Sequence, residues 1–490
     1  IKTLGVIQKQ GLLNTVITYS GVVIGFVSLL FIQPQLLTSS ELGLIRILLA
    51  FATIVATVMP LGVGNINTKF FPHFRNKEKK HFGYFGLMLL FLLVGFLICA
   101  SLILVFKGKI IEIYSEQSPL FVNYFYLAIP FALIIACVAI LNTYVSSLYK
   151  TVAVTFWDSI MNKILFVVVI VLYYFEFLSF DLFVFSFVGL YALQVLFLLI
   201  YAIVTDSVSL KINIPKVKSV GLKPMVKYGL LLSLASISSS GLKFIDTVMI
   251  GAFLELDFVG IFTVTSFIAL IIDIPLVSLE KISNVQIAKF WVENNLEGIK
   301  SIYKKSVKYL MLIGGLLLIG ILLNIEDMLS FLPQEYANAK NVTIIASIGA
   351  FINISTGLNN AVLFNSNNYV YGTYLLLLIL VLAVINNLIF IPMWGIEGAA
   401  FASAFSVVIY NLIKFAIIKI KFQMQPYDLN ALKILLIISI TFIIGYFLPS
   451  FDFTIFSMIF RSVIVSILYV SLVYLLKIVP EFDKYFRLKF

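Results

Sequence analysis

Polar residues in this chain come in short bursts. Between them run apolar blocks of about 20 residues, the length of helix that crosses ~30 Å of hydrocarbon. Fourteen such blocks can be read, roughly 10–33, 41–64, 83–106, 119–147, 151–175, 181–204, 225–251, 258–280, 302–324, 341–364, 369–391, 395–420, 429–448 and 453–477. Each is expected to be a transmembrane helix, because a span in lipid must satisfy its own backbone hydrogen bonds. The connections are mostly short, so consecutive spans run antiparallel. The fold class expected is an all-α integral membrane protein.

Inside the apolar blocks the polar positions keep a helical period. In span 7, Ser233, Ser236, Ser240, Lys243 and Thr247 recur at steps of three and four, which places them on one face. In span 1, Asn14, Thr18, Gly21, Gly25 and Ser28 do the same. Two such stripes could line a water-filled cavity. Ser, Thr and Gly stripes also pack helices closely together, but Lys243 within the second stripe favours the cavity.

The two stripes belong to a longer self-resemblance. "KQGLLNTVITYSG" (9–21) aligns with "KYGLLLSLASISS" (227–239), "LGLI" (42–45) with "VGIF" (259–262), and "PLGV" (60–63) with "PLVS" (275–278). "TKFFPHF" (68–74) aligns with "AKFWVEN" (288–294), and "LNTYV" (141–145) with "LNNAV" (358–362). The offsets run from 215 to 220 and keep their order. Six spans separate the partners, so both copies have the same orientation, a parallel repeat about an axis along the membrane normal. The expected organisation is an N-lobe of spans 1–6 (1–204), a cytoplasmic linker (205–224), a C-lobe of spans 7–12 (225–420), and an addition of spans 13–14 with a cytoplasmic tail (421–490). Two like-oriented six-helix lobes suggest a transporter working by alternating access.

Composition agrees: 61% of the 490 residues are hydrophobic and 12% charged, too few charges to cover a water-soluble fold of this size. No cleavable signal peptide is visible. Cys99 and Cys137 lie in apolar spans and read as buried free thiols. Of the 34 Lys and Arg residues, Lys107, Lys109 and Lys340 fall in one set of loops, and Arg46, Lys163, Lys243 and Arg461 are assigned to span interiors. The remaining 27 are assigned to the opposite loops and both termini, which places those in the cytoplasm. The net charge of +11 is then a topogenic signal beside anionic lipid and not a nucleic-acid footprint.

The stretch "IFIPMWGIEGAAFA" (389–402) interrupts this pattern. Pro392 is expected to end span 11, Gly395 to permit a tight outer reversal, and Gly398, Ala399, Ala400 and Ala402 to start span 12 in close contact with a neighbour. The longer segment "NNLIFIPMWGIEGAAFASAFS" (386–406) resembles the Asn…IP…G…GAA.A pattern of polysaccharide-export proteins in the multidrug/oligosaccharidyl-lipid/polysaccharide exporter superfamily. "SELGLIRILLAF" (40–51) and "PLGVGNINTKFF" (60–71) are similar to the early segments of that family. The resemblance covers the whole chain and extends to the O-antigen (Wzx-type) flippases. It implies a MATE-like fold and an inner-membrane protein that carries an undecaprenyl-diphosphate-linked oligosaccharide from the cytoplasmic to the periplasmic leaflet. It further implies membrane lipids and the polysaccharide polymerase machinery as partners.

The intramembrane polar residues supply candidate chemistry. A charge near the bilayer centre costs ~2.5–3.5 kcal/mol on insertion scales, so such residues tend to face a cavity or a partner. Arg46, Lys163 and Lys243 suit an anionic passenger, since Arg and Lys bind phosphate oxygens through charge-assisted hydrogen bonds. Arg46 also has a snorkelling alternative near the outer end of span 2. Arg461 is assigned to structure or lipid contact. Asn14, Thr18, Ser236 and Ser240 would line the cavity. Asn142 and its repeat partner Asn359, with Asn360, would meet sugar hydroxyls or else satisfy local backbone and one another. Asp158, Asp246 and Asp273 are candidates for H⁺ or Na⁺ coupling, as in some of this superfamily, and Asp246 could instead be the counter-ion of Lys243. No other cofactor is expected.

Other classes fit less well. A drug or metabolite cation antiporter would want an acidic cavity. A lipid-linked peptidoglycan precursor flippase shares the anionic headgroup, so charge alone does not separate it. A membrane glycosyltransferase or O-antigen ligase needs sizeable outer loops, whereas the longest here, "NIEDMLSFLPQEYANAK" (324–340), has 17 residues. No metal cluster, phosphate loop or nucleophile elbow is present.

Overall fold

The computed structural model describes residues 2–206 and 208–479, with side chains from Gln10 onward. In chain order its main helices are α1 (Gln10–Leu36), α2 (Ser39–Val58), α3 (Val63–Phe74), α4 (Tyr84–Ser115), α5 (Pro119–Ser147), α6 (Thr151–Tyr174), α7 (Phe180–Thr205), α8 (Ile214–Val220) and α9 (Leu222–Phe253). They continue with α10 (Leu256–Val292), α11 (Leu296–Leu329), α12 (Lys340–Ser355), α13 (Asn359–Phe364), α14 (Tyr369–Phe422), α15 (Leu429–Tyr446) and α16 (Thr454–Leu475). Among the described residues, twelve helices are long and apolar enough to cross a membrane. One of them, the 54-residue α14, is two spans joined at Gly395, and the shorter α12 with α13 makes a further, interrupted span. On that reading the described residues make fourteen crossings, the number of apolar blocks.

The reversal at Gly395 lies where the sequence places it, with φ 60° and ψ −134°, a conformation open to glycine. Pro392 does not end the helix: residues up to Trp394 keep helical dihedrals. A proline so close to the end forfeits one backbone bond and leaves the last turn intact. The small residues after the turn serve close approach, because a Cβ on Gly398 would come within 1.9 Å of the Phe390 carbonyl oxygen.

Chain packing forms two compact units, residues 1–260 and 261–490, with the division falling inside α10. In the first, α2 is the buried centre and packs against α5 and α9. Its Leu42, Leu44, Ile45, Ile47 and Leu48 are fully buried. A capping box starts α2: the Thr38 side chain accepts from the Glu41 amide while Glu41 accepts from the Thr38 amide. Leu61 and Gly62, both in the left-handed region, separate α2 from α3. At Gly62 the Gly229 carbonyl of α9 stands 2.1 Å from where a Cβ would be.

In the second unit α11 and α14 both pack on α12, and α15 and α16 pack on α11. Side-chain amides tie helices together in both units. Asn67 of α3 donates to the Thr143 carbonyl and to Ser147 in α5. Asn284 of α10 accepts from Asn365 just after α13. Of the two cysteines, Cys99 is buried, Cys137 is partly buried, and both are free thiols.

Helices α1 and α6 approach closely, and each contains a π-helical turn, Ser28–Ile32 and Trp157–Met161. Such turns are frequent at functional sites. A Cβ on Gly21 would lie 2.3 Å from the Ser159 carbonyl oxygen, whereas one on Gly11 of the same helix would have nothing within 4 Å among the described residues. Gly21→Val should therefore sharply reduce the folded, membrane-inserted protein, and Gly11→Val should leave it near the wild-type level. Quantitative blotting of membrane fractions checks both.

Candidate functional site

The close contact of α1 with α6 places the first cation. The Lys163 ammonium donates to the Gly21 carbonyl at 2.6 Å. A Cβ on Gly25 would come within 2.9 Å of Lys163 Nζ, so Gly21 and Gly25 together make the slot in which this side chain lies. Lys163 is half-buried and Lys243 of α9 is exposed, with its Nζ 5.2 Å from the Phe244 ring centre. The two ammonium groups are near enough to repel one another. No salt bridge among the described residues reaches either. Arg46 of α2 donates to Gln33, and Gln33 donates to Ser28 in the π-turn of α1. Arg46 is thus held inside the protein by an amide.

The polar lining residues separate into engaged and open groups. Asn14 donates to Thr151 at 2.8 Å, which ties α1 to α6. Ser236 bonds back to the Leu232 carbonyl at 3.3 Å. Thr18 and Ser240 are partly exposed. Asn142 of α5 donates to Asp158 of α6 at 2.9 Å, and Gln194 of α7 donates to the same carboxylate. Asp158 is consequently fixed by two amides and carries no ion pair among the described residues. Asp246 is partly buried and takes part in a further interaction.

The other named residues form one network in the second unit. Asp273 of α10 accepts from Asn353 at 3.1 Å, and Asn353 accepts from Asn411 at 3.1 Å. Asn411 accepts in turn from Thr356 and Asn359. Lys414 of α14 donates to Asn359 at 2.9 Å and to Asn360 at 2.8 Å, and Asn360 donates to Glu280 at 3.2 Å. The chain of bonds runs from one carboxylate to another through amides and a single ammonium.

Two readings from sequence change here. The topological count groups Lys414 with the basic residues at the cytoplasmic span ends, yet it is 1% exposed. Its ammonium lies 4.0 Å over the Tyr410 ring. Its position six residues before the end of span 12 is the signal the sequence offers, and the count absorbs it. The repeat pairs Asn359 with Asn142 as a sugar contact, but Asn359 is 2% exposed with both amide atoms bonded inside the unit, so it holds helices together. Arg461 matches its structural assignment, donating to Asp327 at 2.9 Å and to the Leu323 carbonyl.

Comparison with known proteins gives three findings. The sequence profile of the family described as "Polysaccharide biosynthesis protein" matches residues 7–279. No curated protein sequence matches significantly. Among solved structures, the chain is similar to a lipid II flippase, MurJ, in an inward closed conformation, with a TM-score of 0.74 and 16% identity over 94% of this chain and 99% of that one. It is also similar to an inward-facing multidrug resistance MATE family transporter of the MOP superfamily, with a TM-score of 0.64 and 13% identity over 82% and 94% of the two chains. A mutant form of the Vibrio cholerae MATE transporter VcmN gives a TM-score of 0.53 and 12% identity over 86% and 98%. At these identities the likeness shows the fold, which is the two-lobed helical membrane fold of that superfamily.

Proposed function

The chain belongs to the polysaccharide biosynthesis protein family, and on that premise we propose that it is a flippase for an undecaprenyl-diphosphate-linked oligosaccharide. It carries the repeat unit from the cytoplasmic to the periplasmic leaflet of the bacterial inner membrane by alternating access, with both termini in the cytoplasm. The observation that supports this most is the pair Lys163 and Lys243. Two ammonium groups share a neighbourhood in membrane helices, repel each other, and have no carboxylate in a salt bridge with them among the described residues. Intramembrane charge without a counter-ion is costly, and a diphosphate is an anion that relieves it through charge-assisted bonds. The prenyl tail stays in the bilayer.

Of the three carboxylates considered for ion coupling, we assign Asp273. It feels the charge of Glu280, and the buried ammonium of Lys414 faces Glu280. Uptake of one H⁺ or Na⁺ would balance that network.

Deletion of the gene in its host tests the reading. Lipid-linked repeat units should accumulate, inaccessible to a membrane-impermeant glycosidase in intact cells, and the restored gene should clear them. Normal surface polysaccharide with no accumulation would refute it.

A further inference from the structure

The first unit contains a pocket of about 520 Å³ between α3, the end of α5 and the start of α6. That size is within the roughly 300–1,000 Å³ of small-ligand sites. Its polar wall comes from Thr68, Arg75, Asn142, Ser146 and Asp158. The Asp158 carboxylate is exposed to the pocket, and its orientation is fixed by the amides of Asn142 and Gln194. The Thr68 hydroxyl donates to the Gly64 carbonyl, which leaves its oxygen available as an acceptor. Beneath the same wall lie two enclosed amide oxygens, Asn67 Oδ1 and Asn142 Oδ1, which have no hydrogen-bond partner among the described residues. The acceptors the wall presents to the pocket are therefore the Asp158 carboxylate and the Thr68 hydroxyl oxygen. Its one cationic donor is Arg75, which stacks 4.1 Å over the Tyr149 ring at the exposed rim.

Acceptors of this kind require a ligand that brings donors. A phosphate brings none when fully ionised, and Asp158 would repel it. An apolar tail would strand the carboxylate and the amides. A sugar ring brings several hydroxyls, each able to donate to a carboxylate or amide oxygen and to accept from a guanidinium. We propose that this pocket is a subsite for a sugar residue of the transported oligosaccharide, distinct from the Lys163–Lys243 pair that meets the diphosphate. The assignment rests on the flippase reading above. It divides recognition between charge for the invariant headgroup and acceptors for the variable glycan.

Two variants separate the subsite from general disruption. Ser146→Phe fills the pocket with an apolar ring, and Asn142→Leu removes one of the two amide donors that orient Asp158. The probe is the repeat-unit oligosaccharide released from its lipid by mild acid, titrated against full-length protein in detergent and followed by saturation-transfer NMR. Wild-type protein should bind it, and each variant should bind at least tenfold more weakly while retaining wild-type thermal stability. Lys163→Met should bind the lipid-free oligosaccharide as wild type does, although it fails to transport. Equal binding by wild type and Ser146→Phe would overturn the subsite, as would no binding by wild type. Failure of the flippase reading is a separate result, because it appears as the absence of lipid-linked repeat units in the deletion strain.

Discussion

Lys163→Met and Lys243→Met should each remove most surface polysaccharide while the protein stays in the membrane at its normal level. Methionine keeps much of the lysine length and apolar volume and deletes only the ammonium. For Lys163 the lost native contact is one bond to a backbone carbonyl, that of Gly21, which helix α1 survives. Each ammonium removed takes away a charge-assisted bond to the diphosphate, worth about 1.5–3 kcal/mol. That corresponds to roughly a 10- to 150-fold loss of flux if the bond strengthens in the rate-limiting state. Because the two ammonium groups repel one another, removing one also relieves its neighbour. The double variant should therefore differ from the product of the single effects, as expected for coupled sites. Immunoblotting of surface polysaccharide, normalised to membrane protein, reads all three variants. Wild-type polysaccharide in both single variants would end the role of these cations in binding the passenger.

Much of this architecture is legible in the residues because lipid imposes a simple rule. Every span needs about 20 apolar positions, so the blocks announce the helices even where one is broken by the turn after α12 or hidden within the 54-residue α14. Gly395 is readable for the same kind of reason, since a reversal between two spans needs a residue at positive φ. Periodicity finds the stripe containing Lys243 and the slot formed by Gly21 and Gly25. It cannot show that the slot holds Lys163, because that contact joins residues 142 positions apart. Nor can it separate Asn142 from Asn359. The two are equivalent in the repeat, yet one supports a carboxylate on a pocket wall and the other is enclosed between Lys414 and Asn411. Burial distinguishes them, and burial depends on which helices face one another. Lys414 is hidden from the sequence because a lysine near a cytoplasmic span end satisfies the topological rule whether its side chain points to water or inward.

Lys414 should prove to be a stabilising element of the second unit. Its ammonium is almost fully buried, bonded to two amide oxygens, and one amide removed from Glu280. Lys414→Met would leave Asn359 Oδ1 and Asn360 Oδ1 without their donor and Glu280 without nearby positive charge. Removing one member of a buried charge set costs about 3–5 kcal/mol, so purified Lys414→Met should unfold at a clearly lower denaturant concentration than wild type. Glu280→Gln in that background removes the stranded charge while keeping an acceptor for Asn360. The double variant should recover about 0.5–3 kcal/mol relative to the sum of the two single losses, the range measured for directly coupled neighbours. Lys414→Arg should not rescue it, because a larger, planar cation does not fit a site enclosed by Tyr410, Asn359 and Asn360. The contrast with Lys163 is the discriminating point. Loss at Lys163 should appear in transport with stability intact, and loss at Lys414 should appear in stability first. If Lys414→Met kept wild-type stability and lost only transport, Lys414 would be a passenger contact exposed in another conformation, and its role as a structural cation would be refuted.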